Sequence, residues 1–162
     1  MAYWAIVFLV VTLPFCIFAA WSDLKFLKIP NIVPVSMVLI FIVVGPFVLP
    51  FTEYKLSLLY GLIALLLSLV VFAAKIVPAG DLKYTTAIIP YVNTGELLNF
   101  VMFLSLCSLL AVLIHSIVGR LGLGPASWAS WQESGRKRRF PFGFALSGAL
   151  ITYLAAHIIR AV

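Results

Sequence analysis

Charge is what this sequence has least of. Charged residues make up 10% of the 162 residues, where soluble globular domains carry roughly 25%. The acids are Asp23, Glu53, Asp81, Glu96 and Glu133, too few to solvate an ordinary globular surface. The cysteines are Cys16 and Cys107 and the histidines His115 and His157. Neither pair has the close spacing of a zinc site, so no structural metal is implied. No Lys or Arg precedes the first apolar run, so residues 1–20 lack the basic start of a secretory signal and read as a retained span. No internal repeat or low-complexity stretch is visible.

What remains is apolar. Hydrophobic residues make up 64% of the chain, and the mean hydropathy is +1.19. This is the composition of an integral membrane protein. At ~20 residues per crossing the chain makes about six passes, leaving no room for a separate soluble domain. The expectation is an all-α, polytopic helix bundle forming a single membrane-embedded domain over residues 1–162. The net charge of +6 then reads as topology anchoring, with no nucleic-acid partner.

Charge-free runs cover residues 1–22, 29–52, 56–74, 84–95, 97–119 and 140–159. The run 84–95 contains Pro90 and is short for a membrane helix, fitting either a short tilted crossing or a re-entrant segment. Basic residues decide between them. If all the runs cross, Lys25, Lys28, Lys75, Lys83, Arg120, Arg136, Lys137, Arg138 and Arg139 share one side, against Lys55 and Arg160 on the other. If 84–95 turns back, the two sides nearly balance. Positive-inside bias therefore favours six spans with both termini outside. In the loop 120–139, Trp128 and Trp131 suit a short interfacial helix, and the basic run from Arg136 to Arg139 suits anionic lipid headgroups.

This topology sorts the acids. Glu53 and Glu96 fall outside, and Glu133 falls in the interfacial loop. Asp23 ends the first span and Asp81 follows the third, so both sit at the cytoplasmic edge. Two aspartates in one site share a proton, because both cannot ionise cheaply at short range. Such a pair performs peptide hydrolysis: the charged member takes a proton from water, and the protonated one supports the oxyanion and then the leaving amine. Gly80 offers close backbone approach and unusual dihedrals just before Asp81. The competing reading is a pair of solvated charges at a membrane edge. Packing among lipid-facing spans also leaves room for the two acids to stand apart until substrate arrives.

Three segments carry a resemblance. Asp23-Leu24-Lys25-Phe26-Leu27-Lys28-Ile29-Pro30-Asn31 resembles the first aspartate motif of type IV prepilin peptidases. Ala79-Gly80-Asp81-Leu82-Lys83 resembles their second motif, GxGD followed by a hydrophobic residue and Lys. Pro141-Phe142-Gly143-Phe144-Ala145-Leu146 resembles the stretch that opens their last span. The length is similar to that of the short forms in Flp/Tad-type pilus systems. The resemblance implies a membrane aspartic endopeptidase of the bacterial inner membrane. It would cleave the basic leader of prepilins or pseudopilins after a glycine at the cytoplasmic face. Asp23 and Asp81 carry over as the catalytic pair, and no cofactor is implied. The first glycine of GxGD is Pro78 here, which puts the local backbone geometry in question. The cysteine pairs of the larger, methylating members are missing, so cleavage is implied and methylation is not.

Supporting roles fall to Lys83, beside the acid pair or anchoring its span, and to Pro30 and Asn31, which can end a loop and cap the second span. Gly143 permits close packing or substrate approach, and Gly61, Ser68 and Ser105 read as helix-packing contacts. No role falls to either histidine. A different class is a non-enzymatic membrane protein: a small transporter subunit, which the sparse mid-span polar residues disfavour, or an inactive relative serving in assembly, which Pro78 keeps open. Lipoprotein signal peptidase is similar in size only.

Overall fold

The computed structural model describes residues 3–125, 127–128 and 140–161. Among them the chain forms α-helices α1 (Tyr3–Phe26), α2 (Ile32–Val48), α3 (Phe51–Ala73), α4 (Ala79–Ile88), α5 (Leu97–Arg120) and α6 (Phe142–Arg160), and no strand. Two 3-10 turns, Ile89–Tyr91 and Thr94–Glu96, link α4 to α5. The helices α1, α3, α5 and α6 are long and apolar enough to cross a membrane, and α2, at 17 residues, is slightly shorter. Large apolar side chains such as Val43, Phe47, Leu67, Val70, Leu98 and Met102 face outward. Such a surface belongs in lipid. The protein is a polytopic helical membrane protein.

In lipid, helices associate through close packing more than through expulsion of water, which favours small residues where they touch. The buried face of α1 follows that rule: Ala5, Phe8, Thr12, Cys16, Ala19, Ser22 and Asp23 recur every three or four positions. The buried residues of α6 include the small Gly143, Ala145, Ser147 and Ala149. These two helices pack along one another, and α5 covers the other side of α6. Gly61 on α3 has the same function, since a Cβ there would stand 2.9 Å from Cγ of Pro90. Ser68 meets Thr86 across the α3–α4 contact at 3.0 Å. Ser105 does not serve as a packing contact: its hydroxyl donates to the Val101 carbonyl one turn back in α5. A serine on a lipid-facing position satisfies itself on its own helix because nothing polar lies outside.

The short run 84–95 crosses the bundle. Its helix α4 starts beside Ile29, next to the end of α1. It leads to Tyr91, whose ring meets Phe8 near the start of α1 at 5.0 Å. With 10 residues, α4 rises only ~15 Å, and the 3-10 turns complete the path. Irregular backbone at this depth is tolerated because protein surrounds it. Tyr84, Ile88 and Tyr91 are almost fully buried, the Tyr91 hydroxyl donates to the Met37 carbonyl, and the Asn93 N–H donates to Tyr153 Oη at 3.0 Å.

The start of α1 and the end of α6 share the opposite end of the bundle. There the imidazole Nε2 of His157 lies 2.8 Å from Oε2 of Glu96, with Trp4 and Tyr153 rings against it at 5.0 and 4.7 Å. His157 therefore ties α6 to the approach of α5, a structural role that its isolated position in the sequence does not show. Cys16 and Cys107 are free thiols.

Candidate active site

The end of α1, the starts of α4 and α6 and the turn 27–31 converge at one end of the bundle. Asp23 occupies the last turn of α1 and is 4% exposed. A carboxylate so deeply placed needs donors, and α6 supplies them. The N–H of Gly143 donates to Asp23 Oδ2 at 2.7 Å, and the Phe144 N–H also bonds this carboxylate. The first N–H groups of a helix have no partner within it. At α6 the residue before the helix is Pro141, which makes no side-chain cap. Asp23 thus caps α6 from a different helix, at the positive end of its dipole.

The approach is close. A Cβ at position 143 would stand 3.0 Å from Asp23 Oδ2 and 2.7 Å from Cδ1 of Ile29. Ile29 reaches this place because the chain turns sharply after α1. Leu27 takes a left-handed conformation at φ 51, the Leu27 N–H returns to the Asp23 carbonyl at 2.8 Å, and Ser22 Oγ donates to the Lys28 carbonyl at 2.9 Å. A side chain in that backbone region costs ~1–2 kcal/mol. The turn holds it by two bonds and the burial of Ile29.

Asp81 lies in the first turn of α4, half-buried. It lines the same open cleft as Asp23, a space of about 1630 Å³. Burial pushes the Asp81 carboxyl up from its ordinary value. The charge of Asp81 stands near enough to act on Asp23, although among the described residues no hydrogen bond joins the two carboxyls. Both acids thus line one cleft, with room for a water and a peptide carbonyl.

Pro78 precedes α4 with φ −58 and ψ 141, and its carbonyl accepts the Leu82 N–H at 3.3 Å. A proline loses nothing at a helix start, where the N–H would have no helical partner. The backbone question raised by Pro78 in place of glycine is answered by this helix start. Gly80 departs from expectation. It lies within α4, has no left-handed φ, and a Cβ there would meet only Ile29 N at 3.8 Å and Ile29 Cβ at 3.9 Å. Those are ordinary contacts, so neither an unusual dihedral nor close packing requires glycine in the fold. Gly80→Ala should keep thermal stability in detergent or raise it by up to ~1 kcal/mol, through helix propensity. A loss of activity in a variant that stable would mark space taken by a bound substrate.

Asn31 also differs from its expected capping role. It immediately precedes α2, but its side chain bonds no α2 N–H. Its Oδ1 instead accepts from Lys83 Nζ at 3.3 Å. The Asn31 backbone is already helical at φ −60 and ψ −23, a conformation that turns the side chain away from the N–H groups ahead. Lys83 thus ties the start of α2 to α4, on the same cleft wall as Asp81. Pro30 lines the cleft and its carbonyl accepts the Val33 N–H at 3.0 Å. Trp131, Glu133 and the basic run Arg136, Lys137, Arg138 and Arg139 lie outside the described residues, while Trp128 follows α5 with its N–H on the Pro125 carbonyl at 2.9 Å.

The sequence did not reveal the donors to Asp23, because backbone N–H groups leave no residue signature. It also gave no separate role to Ser22, a small polar residue beside the acid, or to Ile29, which appeared only as a member of the first motif.

A bundle of membrane helices with two aspartates sharing one cleft defines the class: a polytopic membrane protein with a paired-acid site. Residues 10–119 match the type IV leader peptidase family. This chain belongs to that family and is, at that level, a peptidase. The matched stretch holds both aspartates and ends ahead of α6. No curated protein and no solved structure matches the chain.

Proposed function

We propose that this protein is an aspartic endopeptidase that removes the basic leader of prepilins or pseudopilins, cutting after a glycine at the cytoplasmic face of the bacterial inner membrane. The observation that carries this reading is the shared cleft of Asp23 and Asp81, with Asp23 held by the start of α6. The pair holds one proton. The ionised carboxylate takes a proton from a water as the water oxygen bonds to the peptide carbonyl carbon. The protonated carboxyl donates to the developing oxyanion. A proton then passes to the amide nitrogen as the C–N bond breaks, and the dyad regains its starting state.

The cleft suits such a substrate. Phe18, Trp21 and Phe26 of α1 and Phe72, Ile76 and Val77 around the end of α3 give it apolar walls, suited to the hydrophobic segment after the cut. Lys28, Lys75 and Lys83 also line it, so a basic leader approaches best with its positive groups in the water beyond these lysines. The nine basic residues on the aspartate side of the six-span topology support a cytoplasmic orientation, and Arg136 to Arg139 support contact with anionic headgroups.

The test is co-expression in membranes with a Flp-type prepilin having glycine before the cut, read by the mass of the pilin. Wild-type protein is expected to reduce that mass by the leader. An intact prepilin, with the protein correctly inserted, would favour a non-enzymatic relative acting in pilus assembly.

A further inference from the structure

A buried chain of hydrogen bonds connects the two acid-bearing parts of the site without touching the cleft. Tyr84 lies three residues after Asp81 on α4 and is fully buried. Its Oη stands 2.9 Å from Ser147 Oγ on α6. Ser147 Oγ in turn donates to the Gly143 carbonyl at 2.8 Å. Either hydroxyl of the Tyr84–Ser147 pair can donate to the other. The chain runs from Tyr84 to Ser147, from Ser147 to the Gly143 carbonyl, and through the Gly143 N–H to Asp23.

We propose that Tyr84 and Ser147 are positioning residues that set the separation and relative orientation of Asp23 and Asp81. The inference rests on the peptidase reading for its effect on rate, and on geometry alone for its effect on the pair. Residues three apart on a helix share a face, so fixing Tyr84 fixes how α4 presents Asp81. Ser147 fixes the first turn of α6, whose N–H groups hold Asp23. Among the described residues this is the hydrogen-bonded link between α4 and α6, and both partners are almost wholly shielded, with Ser147 at 2% exposure. In such surroundings an unpaired hydroxyl is costly, so the link is persistent. The thiol of Cys16 on α1 lies against the Tyr84 hydroxyl as well, so all three helices meet at this oxygen.

The experiment compares wild type with Tyr84→Phe, Ser147→Ala and the double variant, all in membranes. Tyr84→Phe keeps the ring that fills the core. Two readouts are taken: kcat and KM for leader cleavage, and the pH titration of the carboxyl C=O stretch by infrared spectroscopy, assigned by its loss in Asp81→Asn. The expected result is a fall in kcat of roughly tenfold to a hundredfold, as for a small misplacement of reacting groups. KM should stay nearly unchanged and the carboxyl titration midpoint should move. The double variant should be no worse than the more affected single one, since both break one link. Unchanged kcat together with an unmoved midpoint would overturn the proposal. If wild type titrates the pair and cleaves nothing, while Tyr84→Phe still moves the midpoint, the positioning stands and the peptidase reading falls.

Discussion

Asparagine in place of Asp81 should leave a folded, inserted protein that cleaves at least ~1,000-fold more slowly, because general acid–base chemistry of this kind contributes 10²–10⁴-fold and the two acids act as a unit. The amide matches the carboxyl in shape. The bonds from Gly143 and Phe144 to Asp23 do not involve Asp81, so the α1–α6 junction is kept. What is lost is the second proton-carrying group. The pH profile supplies a further check. Burial raises the Asp81 carboxyl from its ordinary value, so the protonated form persists to higher pH than in a solvated aspartate. Cleavage needs one proton on the pair, and should fall as pH rises and that last proton leaves. The fall should lie above ~4, the midpoint of a free aspartate. Rates of leader removal across pH, with Asp81→Asn as the blank, measure both effects. A variant retaining wild-type rate would remove Asp81 from the chemistry.

Gly143→Ala carries the second large effect, and by a different route. The added methyl would stand 3.0 Å from Asp23 Oδ2 and 2.7 and 3.1 Å from Ile29 Cδ1 and Cγ1. The end of an isoleucine side chain can rotate, but this one is 8% exposed and packed in the core. The carboxylate yields with it, and the 2.7 Å bond from the Gly143 N–H lengthens or tilts. Overpacking of this sort costs ~1–3 kcal/mol. The expected loss of activity is roughly tenfold to a hundredfold, out of proportion to any change in membrane insertion. Gly148 on the same helix is the control, since a Cβ there meets only Cys107, at 3.7 Å from Sγ and 3.8 Å from Cβ. Gly148→Ala should keep both thermal stability and rate. Equal damage from the two substitutions would indicate general disruption of α6 and remove the special role of Gly143.

The helices were legible because apolar runs bounded by Lys, Arg, Asp and Glu determine where a chain can cross lipid. The acid pair was legible because aspartates are rare here and the alternating passes bring these two to one edge. The fine construction of the site was not. Asp23 is held by main-chain N–H groups presented 120 residues later, and position 143 shows only a glycine, whose role depends on what comes within 3 Å of it. Asn31 had the right residue type and place for a cap, but Lys83, distant in sequence, takes its oxygen. Gly80 failed as a conformational signal because a helix starting at Ala79 needs no glycine there. Tyr84 and Ser147 look in sequence like ordinary members of a span, and the distance between their oxygens makes them a link.

The dependence of Asp23 on α6 also has a consequence in time. A ribosome delivers α1 first and α6 after the other helices, and membrane helices insert before they pack. From the synthesis of Asp81 until α6 docks, the nascent chain carries both acids, yet Asp23 lacks the N–H groups that orient it. The site comes into being as the last of these helices docks. On the proposed aspartic-peptidase reading a half-made chain is inactive, and the order of synthesis itself delays cleavage until the bundle surrounds the acid pair.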